Sequence, residues 1–199
     1  MWSGQEFTGE SFNHEGFAHQ EWRDCRFVAC SFRGADLKEL VTQGCVFSEC
    51  DFVDAQLNAS EHTNSAFLNC KFDEANLFVT RFTACKMTGS TFIKSNIGGL
   101  SINGGDWSFT NLRLQDLRGQ KLNGLRLTEA DLFQCNLEKT DLRGADLSRA
   151  TLTNVKLAGA DLRGATLDGV DMRTLDLRGT KIDLEQAVQF AKSFGAKVQ

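Results

Sequence analysis

From Phe7 to Ile182 every fifth residue is large and apolar, with Thr42 and His62 as the two exceptions. The frame is clearest from Thr140 to Ala165, where Leu142, Leu147, Leu152, Leu157 and Leu162 hold one phase. Ala145, Ala150 and Ala160 lie two residues before a leucine, Asp141, Asp146 and Asp161 one before, and Gly144, Gly159 and Gly164 two after. A strict period of five belongs neither to a helix, which repeats at 3.6, nor to a strand, which repeats at two. It holds for 36 successive units with no insertion or deletion. The chain therefore reads as one repeat array over residues 1–182, followed by a different segment over 183–199.

The seven cysteines fall on a single phase of the frame, shared with Ala35, Ala55, Ala75, Ser65 and Ser90. That phase selects small side chains, and no C-x-x-C spacing converges ligands as zinc requires. Cys25, Cys30, Cys45, Cys50, Cys70, Cys85 and Cys135 are expected to be buried, unpaired thiols in a reducing cytoplasm. No apolar run is long enough to span a membrane, and the start, MWSGQEFTGE, lacks the basic and apolar regions of a secretory signal. A net charge of −4 argues against nonspecific attachment to nucleic acid or anionic lipid. Proline is absent, so tight turns must rest on glycine and polar residues.

The large position is mostly phenylalanine up to Phe92 and nearly all leucine from Leu112. Between them, residues 96–106 are glycine-rich and carry bulky Leu100 at the small position, so the coil is expected to distort there. Thr42 and His62 are 20 residues apart and should stack between Trp22 and Phe82, hydrogen-bonding each other, because a lone buried imidazole or hydroxyl is costly. His14 and His19 take outward phases with no metal partner. After Ile182 a helix is expected, with Asp183 as N-cap, Gln186 in capping-box position and Gly195 as the stop. Its apolar stripe, Leu184, Ala187, Val188, Ala191 and Phe194, is widened by Phe190. That is more apolar surface than a cap needs, and it predicts a homodimer through the helix.

No nucleophile elbow, phosphate-binding loop or HExxH occurs, there is no tyrosine, and a solenoid without insertions offers no cleft. The sequence therefore predicts no enzyme, no cofactor and no metal site. Function must lie on the surface, where charge is uneven. Residues 1–110 carry 14 acidic and 8 basic side chains, and residues 111–199 carry 12 and 14. On a 20-residue period Asp54 stacks on Glu74, Asp73 lies alongside, and Asp51 stacks on Lys71. Like charges held so close disfavour folding modestly, which makes Asp51, Asp54, Asp73 and Glu74 the candidate partner-binding face. Lys121, Asp141, Asp161 and Lys181 are expected to form a self-neutralising ladder.

Units such as Ala35-Asp-Leu-Lys-Glu39, Ala145-Asp-Leu-Ser-Arg149 and Ala160-Asp-Leu-Arg-Gly164 resemble those of pentapeptide-repeat proteins, whose motif is A(D/N)LXX. The resemblance implies an all-β fold, a right-handed quadrilateral parallel β-helix with a C-terminal α-helix. It implies four pentapeptides per coil, with the large and small phases inward and a turn at each corner. Nine coils at the inter-strand spacing would make a rod of roughly 43 Å. Residues 47–72, and the ending LRGTKIDLEQAVQFAKSFGAKV, resemble the Qnr/MfpA group, nearest its loop-less MfpA type. In that group the terminal helices pair two rods, and the dimer binds DNA gyrase or topoisomerase IV by imitating duplex DNA. The implied role is protection from quinolones or from natural-product gyrase poisons. Duplex DNA carries a charge every roughly 1.7 Å, or about −50 over two such rods. A dimer at −8, twice the chain's −4, can imitate only the shape and local acidic patches. The rival reading is a scaffold that binds an unrelated protein along its faces.

Overall fold

The computed structural model describes residues 1–198; Gln199, the end of the expected tail, lies outside them. The fold is a quadrilateral parallel β-helix closed by one C-terminal helix. The chain divides into two compact units, residues 1–111 and 112–199, taken in turn below.

In the first unit Trp2, Trp22, Thr42, His62, Phe82 and Ile102 pair in parallel register, one coil apart at each step. Phe7, Phe27, Phe47 and Phe67 form the second column in the same way. These two faces are built from short strands. The third and fourth faces meet through single bridges, Ser31 to Asp51 to Lys71 and Asp36 to Gln56 to Asn76, with a turn after each. Identical rings stack inward at the rise of the coil. Phe27, Phe47 and Phe67 lie parallel at 4.7 Å, and Phe32, Phe52 and Phe72 at 5.0 and 4.9 Å. That spacing is the inter-strand distance of any sheet, so ring stacking and backbone pairing reinforce each other.

The small phase does more than save space. Cys50 Sγ donates to the Phe27 carbonyl of the preceding coil at 3.5 Å, and Ser90 Oγ donates to Phe67 in the same way at 2.9 Å. Cysteine and serine are thus interchangeable there as small inward donors. All seven thiols are buried and free. Burial pushes Cys45 and Cys85 up to about 11 and Cys135 up to about 12, which keeps them protonated and unreactive.

From Gly4 to Gly169 each corner residue, two after the large one, lies in the left-handed region, glycine or not. Val79 does so at φ 60°, a costly geometry for a β-branched side chain. Its N–H is bonded across the coils to the Gly98 carbonyl at 2.9 Å, which holds the turn. The expected distortion in the glycine-rich stretch is present. Arg81–Lys86 and Ser101–Asp106 run as continuous strands through a corner. Gly105, at φ 103°, lies so close to Cys85 that a Cβ would meet the Cys85 carbonyl oxygen at 2.1 Å.

In the second unit the core is leucine, and Lys121, Asp141, Asp161 and Lys181 do stack in register. Lys181 does lower Asp161, but arginines rather than the ladder lysines are the main partners of the two aspartates. Asp141 and Asp161 are forked by Arg143 and Arg163 of their own coil, at 2.7 Å each. An aspartate before the leucine and an arginine after it share one outward face, so the fork closes locally. The same fork joins Asp116 to Arg118 and Asp176 to Arg178. The arginine holds Asp161 and Asp176 down to about 2. The last coil keeps the frame but not the fold of the others. Residues Met172–Thr174 form a 3-10 turn before pairing resumes at Lys181.

Candidate protein-interaction site

The predicted acidic residues are brought together on one edge of the first unit, but most are already engaged. Asp51 accepts from the Val53 N–H and pairs with Arg33 at 2.9 Å. Asp73 accepts from Thr91 Oγ1 at 2.7 Å and from the Ile93 N–H at 2.9 Å, so it holds the next coil in place. Glu74 reaches Lys94 at 3.5 Å across open solvent. Asp54, exposed at its corner, has no side-chain partner among the described residues. The face thus offers Asp54 and Glu74 as its free or weakly held carboxylates. Screening by water and salt leaves such exposed pairs worth little.

Sequence reasoning missed the apolar side chains beside them. Phe78 is 52% exposed, Ile93 42% and Val79 38%. The Phe78 ring lies over Gly98, where an added Cβ would meet it at 3.2 Å. The signal was available: these three are apolar residues on the outward phases of the frame.

Thr42 and His62 form a closed polar network in the core. His62 Nδ1 lies 2.8 Å from Thr42 Oγ1 and Nε2 lies 3.0 Å from Ser60 Oγ. Ser60 Oγ donates to the Leu57 carbonyl at 2.6 Å, so it accepts from Nε2–H, and Thr42 donates to Nδ1. Both ring nitrogens are satisfied, and burial pushes His62 down to about 3. The pair is structural, as the frame implied.

The terminal helix, α1, spans Leu184–Ser193. Asp183 accepts from the Gln186 N–H at 3.0 Å and Gln186 accepts from the Asp183 N–H at 3.2 Å, the expected capping box. Gly195 at φ 87° stops it, its N–H bonded to the Lys192 carbonyl, while Ala196 N–H reaches Ala191. The helix face turned to the coil differs from the expected stripe. Gln186, 4% exposed, donates to the Leu162 and Ala165 carbonyls and so caps the open edge with a side-chain amide. Phe190, expected at the dimer interface, is half-buried beneath the helix with Met172 and Leu177. Leu184 at 82% and Phe194 at 63% point outward, while Ala187, Val188 and Ala191 are half-buried.

The pattern of pentapeptide repeats matches residues 25–61, 110–149 and 145–182, in eight copies. The chain belongs to the pentapeptide-repeat proteins. Among solved structures, this pentapeptide-repeat chain is similar to two trypsin-treated forms of QnrB1, a plasmid-mediated fluoroquinolone resistance protein, each at 22% identity. The TM-scores are 0.87 and 0.88, over 99% and 100% of this chain and 99% of QnrB1. Full-length QnrB1 aligns over 98% of this chain and 99% of its own, at 20% identity and a TM-score of 0.73. No curated protein sequence matches the chain. At 20–22% identity these QnrB1 structures show that this chain shares their fold. No helix among the described residues is long and apolar enough to cross a membrane.

Proposed function

We propose that this chain is a non-enzymatic cytoplasmic protein that binds DNA gyrase or topoisomerase IV where duplex DNA would lie. It would thereby protect the enzyme from quinolones or from natural-product gyrase poisons. The observation that carries this reading is the fold shared with a fluoroquinolone resistance protein over 99% of both chains. A solenoid face with an acidic edge suits a groove that binds polyanions, and Asp54 and Glu74 are the carboxylates free to enter it. Asp51 and Asp73 support that edge from behind.

The test is a gyrase supercoiling assay with and without ciprofloxacin. Added protein should restore supercoiling in the presence of drug, and the drug-free arm reads whether it inhibits the enzyme. Asp54→Lys with Glu74→Lys should weaken protection about tenfold or more at low salt and less at high salt, since screening acts over roughly 10 Å at 0.1 M. Absence of any rescue by the wild-type protein, at every concentration tried, would sink the reading.

The homodimer belongs to the same proposal, formed by Leu184, Ala187, Val188, Ala191 and Phe194 as the outward face of α1, with Phe190 supporting them from beneath. Leu184→Asp with Phe194→Asp should yield a monomer in analytical ultracentrifugation without loss of fold. If that variant sediments as the wild type does, the helix is only a cap.

A further inference from the structure

The repeat frame continues through the last coil, yet the last coil is not closed. Asp171-Met-Arg173 and Asp176-Leu-Arg178 carry the same triplet as Asp141-Leu-Arg143 and Asp161-Leu-Arg163. Pairing is in register on both sides of the gap, from Thr166 to Asp146 before it and from Lys181 to Asp161 after it. Ten residues, two pentapeptides, separate Asp168 from Gly179 and would fill the two missing faces without a slip. Instead the segment forms its 3-10 turn, with Thr174 N–H and Oγ1 both donating to the Asp171 carbonyl.

The consequence is an open edge one coil earlier. In the coils of the second unit before this one, the amides of large-phase residues and of the corner residues two after them donate to carbonyls of the next coil. Leu132 reaches Thr151, Gln134 reaches Thr153 and Leu137 reaches Lys156. Among the described residues, the amides of Leu152, Asn154 and Leu157 have no such partner, and the carbonyls of Ala150 and Val155 have no donor. Beside this edge lies a groove of about 410 Å³ bordered by Lys156, Leu157, Ala158, Asp176 and Arg178. Unpaired groups along a buried strand are costly and attract a strand to pair with.

We propose that this edge is a seat for an extended segment, and that its occupant is the chain's own residues 171–177, a strap poised between the open turn and a closed coil. An external peptide fits poorly, because the edge turns a corner between Asn154 and Lys156. Only a segment with the repeat's own bend can follow it. The strap already has that period and is tethered at both ends, so its effective concentration exceeds that of any free competitor. Val170 and Leu175 hold it open. They occupy two successive small inward positions, stacked where Ala150 and Val155 already fill the coil below. Closure would also draw Met172 and Leu177 from beneath α1, where they face Gln186 and Phe190, onto Leu152 and Leu157. Strap closure and helix seating are therefore linked.

Two measurements test this. In residue-resolved hydrogen exchange, Leu152, Asn154 and Leu157 should exchange at least tenfold faster than Leu132, Gln134 and Leu137. Val170→Ala with Leu175→Ala should slow them at least tenfold. The second uses Thr153→Cys with Arg173→Cys in the otherwise intact chain. Residues paired one coil apart lie at roughly 4.8 Å, within disulfide range, and Thr153 and Arg173 would be so paired in the closed coil but are not in the open one. Diamide treatment of the folded protein should form that bond, read as a cross-linked peptide joining positions 153 and 173 by mass spectrometry. Amides in the wild type as protected as those one coil back, or no cross-link in the double-cysteine protein, would overturn the proposal.

Discussion

Two units share one five-residue frame and solve it with different chemistry. In residues 1–111 the large position is aromatic, and columns of parallel rings such as Phe27, Phe47 and Phe67 run along the core. In residues 112–199 it is leucine, and regularity shows on the outside instead, as Asp-x-Arg forks repeated from coil to coil. A leucine has no preferred stacking face, so the leucine core gains its energy from contact area alone. An aromatic column gains area and ring geometry together, with the ring spacing imposed by the backbone ladder. Period therefore dictates the coil and its register in both units, while the identity of the large residue decides what packs inside it.

The largest expected effects separate these two cores. Phe47→Ala removes the middle of a three-ring stack and should cost about 3–5 kcal/mol, with Leu147→Ala at about 2–5 kcal/mol. The reciprocal exchange is sharper. Phe47→Leu should lose about 1–2 kcal/mol through the ring geometry and the space vacated, whereas Leu147→Phe should lose about 1–3 kcal/mol by overpacking. Urea denaturation of all four reads the values. If Leu147→Phe is neutral, the leucine coils have slack and the contrast between the cores is wrong.

A medium effect comes from the one imidazole in the aromatic core. His62 is held neutral, and its folded pKa of about 3 lies below its ordinary value. The unfolded chain therefore takes up a proton that the folded chain refuses. The contribution is present in full above the unfolded pKa of roughly 6.5 and is lost as pH falls from there toward the folded value. At pH 5 the loss should be about 2 kcal/mol, accruing at about 1.4 kcal/mol per pH unit. His62→Phe should abolish it, with the substituted phenyl ring stacking on Phe82 as the imidazole does at 4.9 Å. Thr42 keeps Ser65 and Ser60 keeps the Leu57 carbonyl, so no core hydroxyl is orphaned. Wild type and variant losing stability equally between pH 7 and 5 would place the acid sensitivity elsewhere.

Much of this was legible in the sequence because a period of five leaves few choices. The inward phases, the buried thiols, the Thr42–His62 pair and the capping box of α1 all follow from position in the frame. What escaped was set by competition among neighbours. The Lys121–Lys181 ladder lost to forks within each coil, because an arginine two residues away reaches its aspartate before a lysine on the next coil can. The helix presented Gln186 inward since the coil's last carbonyls needed a donor more than its core needed another apolar side chain. The strap at residues 171–177 was hidden for a related reason. Its frame is intact, and only bulk at the small positions Val170 and Leu175 betrays it. Large residues at that phase elsewhere, Leu40 and Leu125 among them, are buried without breaking the coil.

The smallest expected effect concerns the acidic edge itself. Asp54 and Glu74 stand at corners with φ 59° and 60°, where a side chain is disfavoured and glycine is not. Asp54→Gly with Glu74→Gly should therefore stabilise the first unit by about 0.5–1 kcal/mol per site, from relief of the left-handed geometry. Removal of their mutual repulsion acts in the same direction. In the second unit, Glu129 occupies a corner of another face at a similar φ of 56° but is held by Arg149 at 2.7 Å, so Glu129→Gly should gain less. Thermal midpoints of these variants compare the two units at matched geometry. If Asp54→Gly with Glu74→Gly lowers the midpoint, these carboxylates contribute to the fold, and any loss of partner binding on their replacement would lose its force as evidence for a contact surface. If it raises the midpoint, the chain carries two strained carboxylates that its stability does not need, and a requirement for them in gyrase protection would then belong to the surface alone.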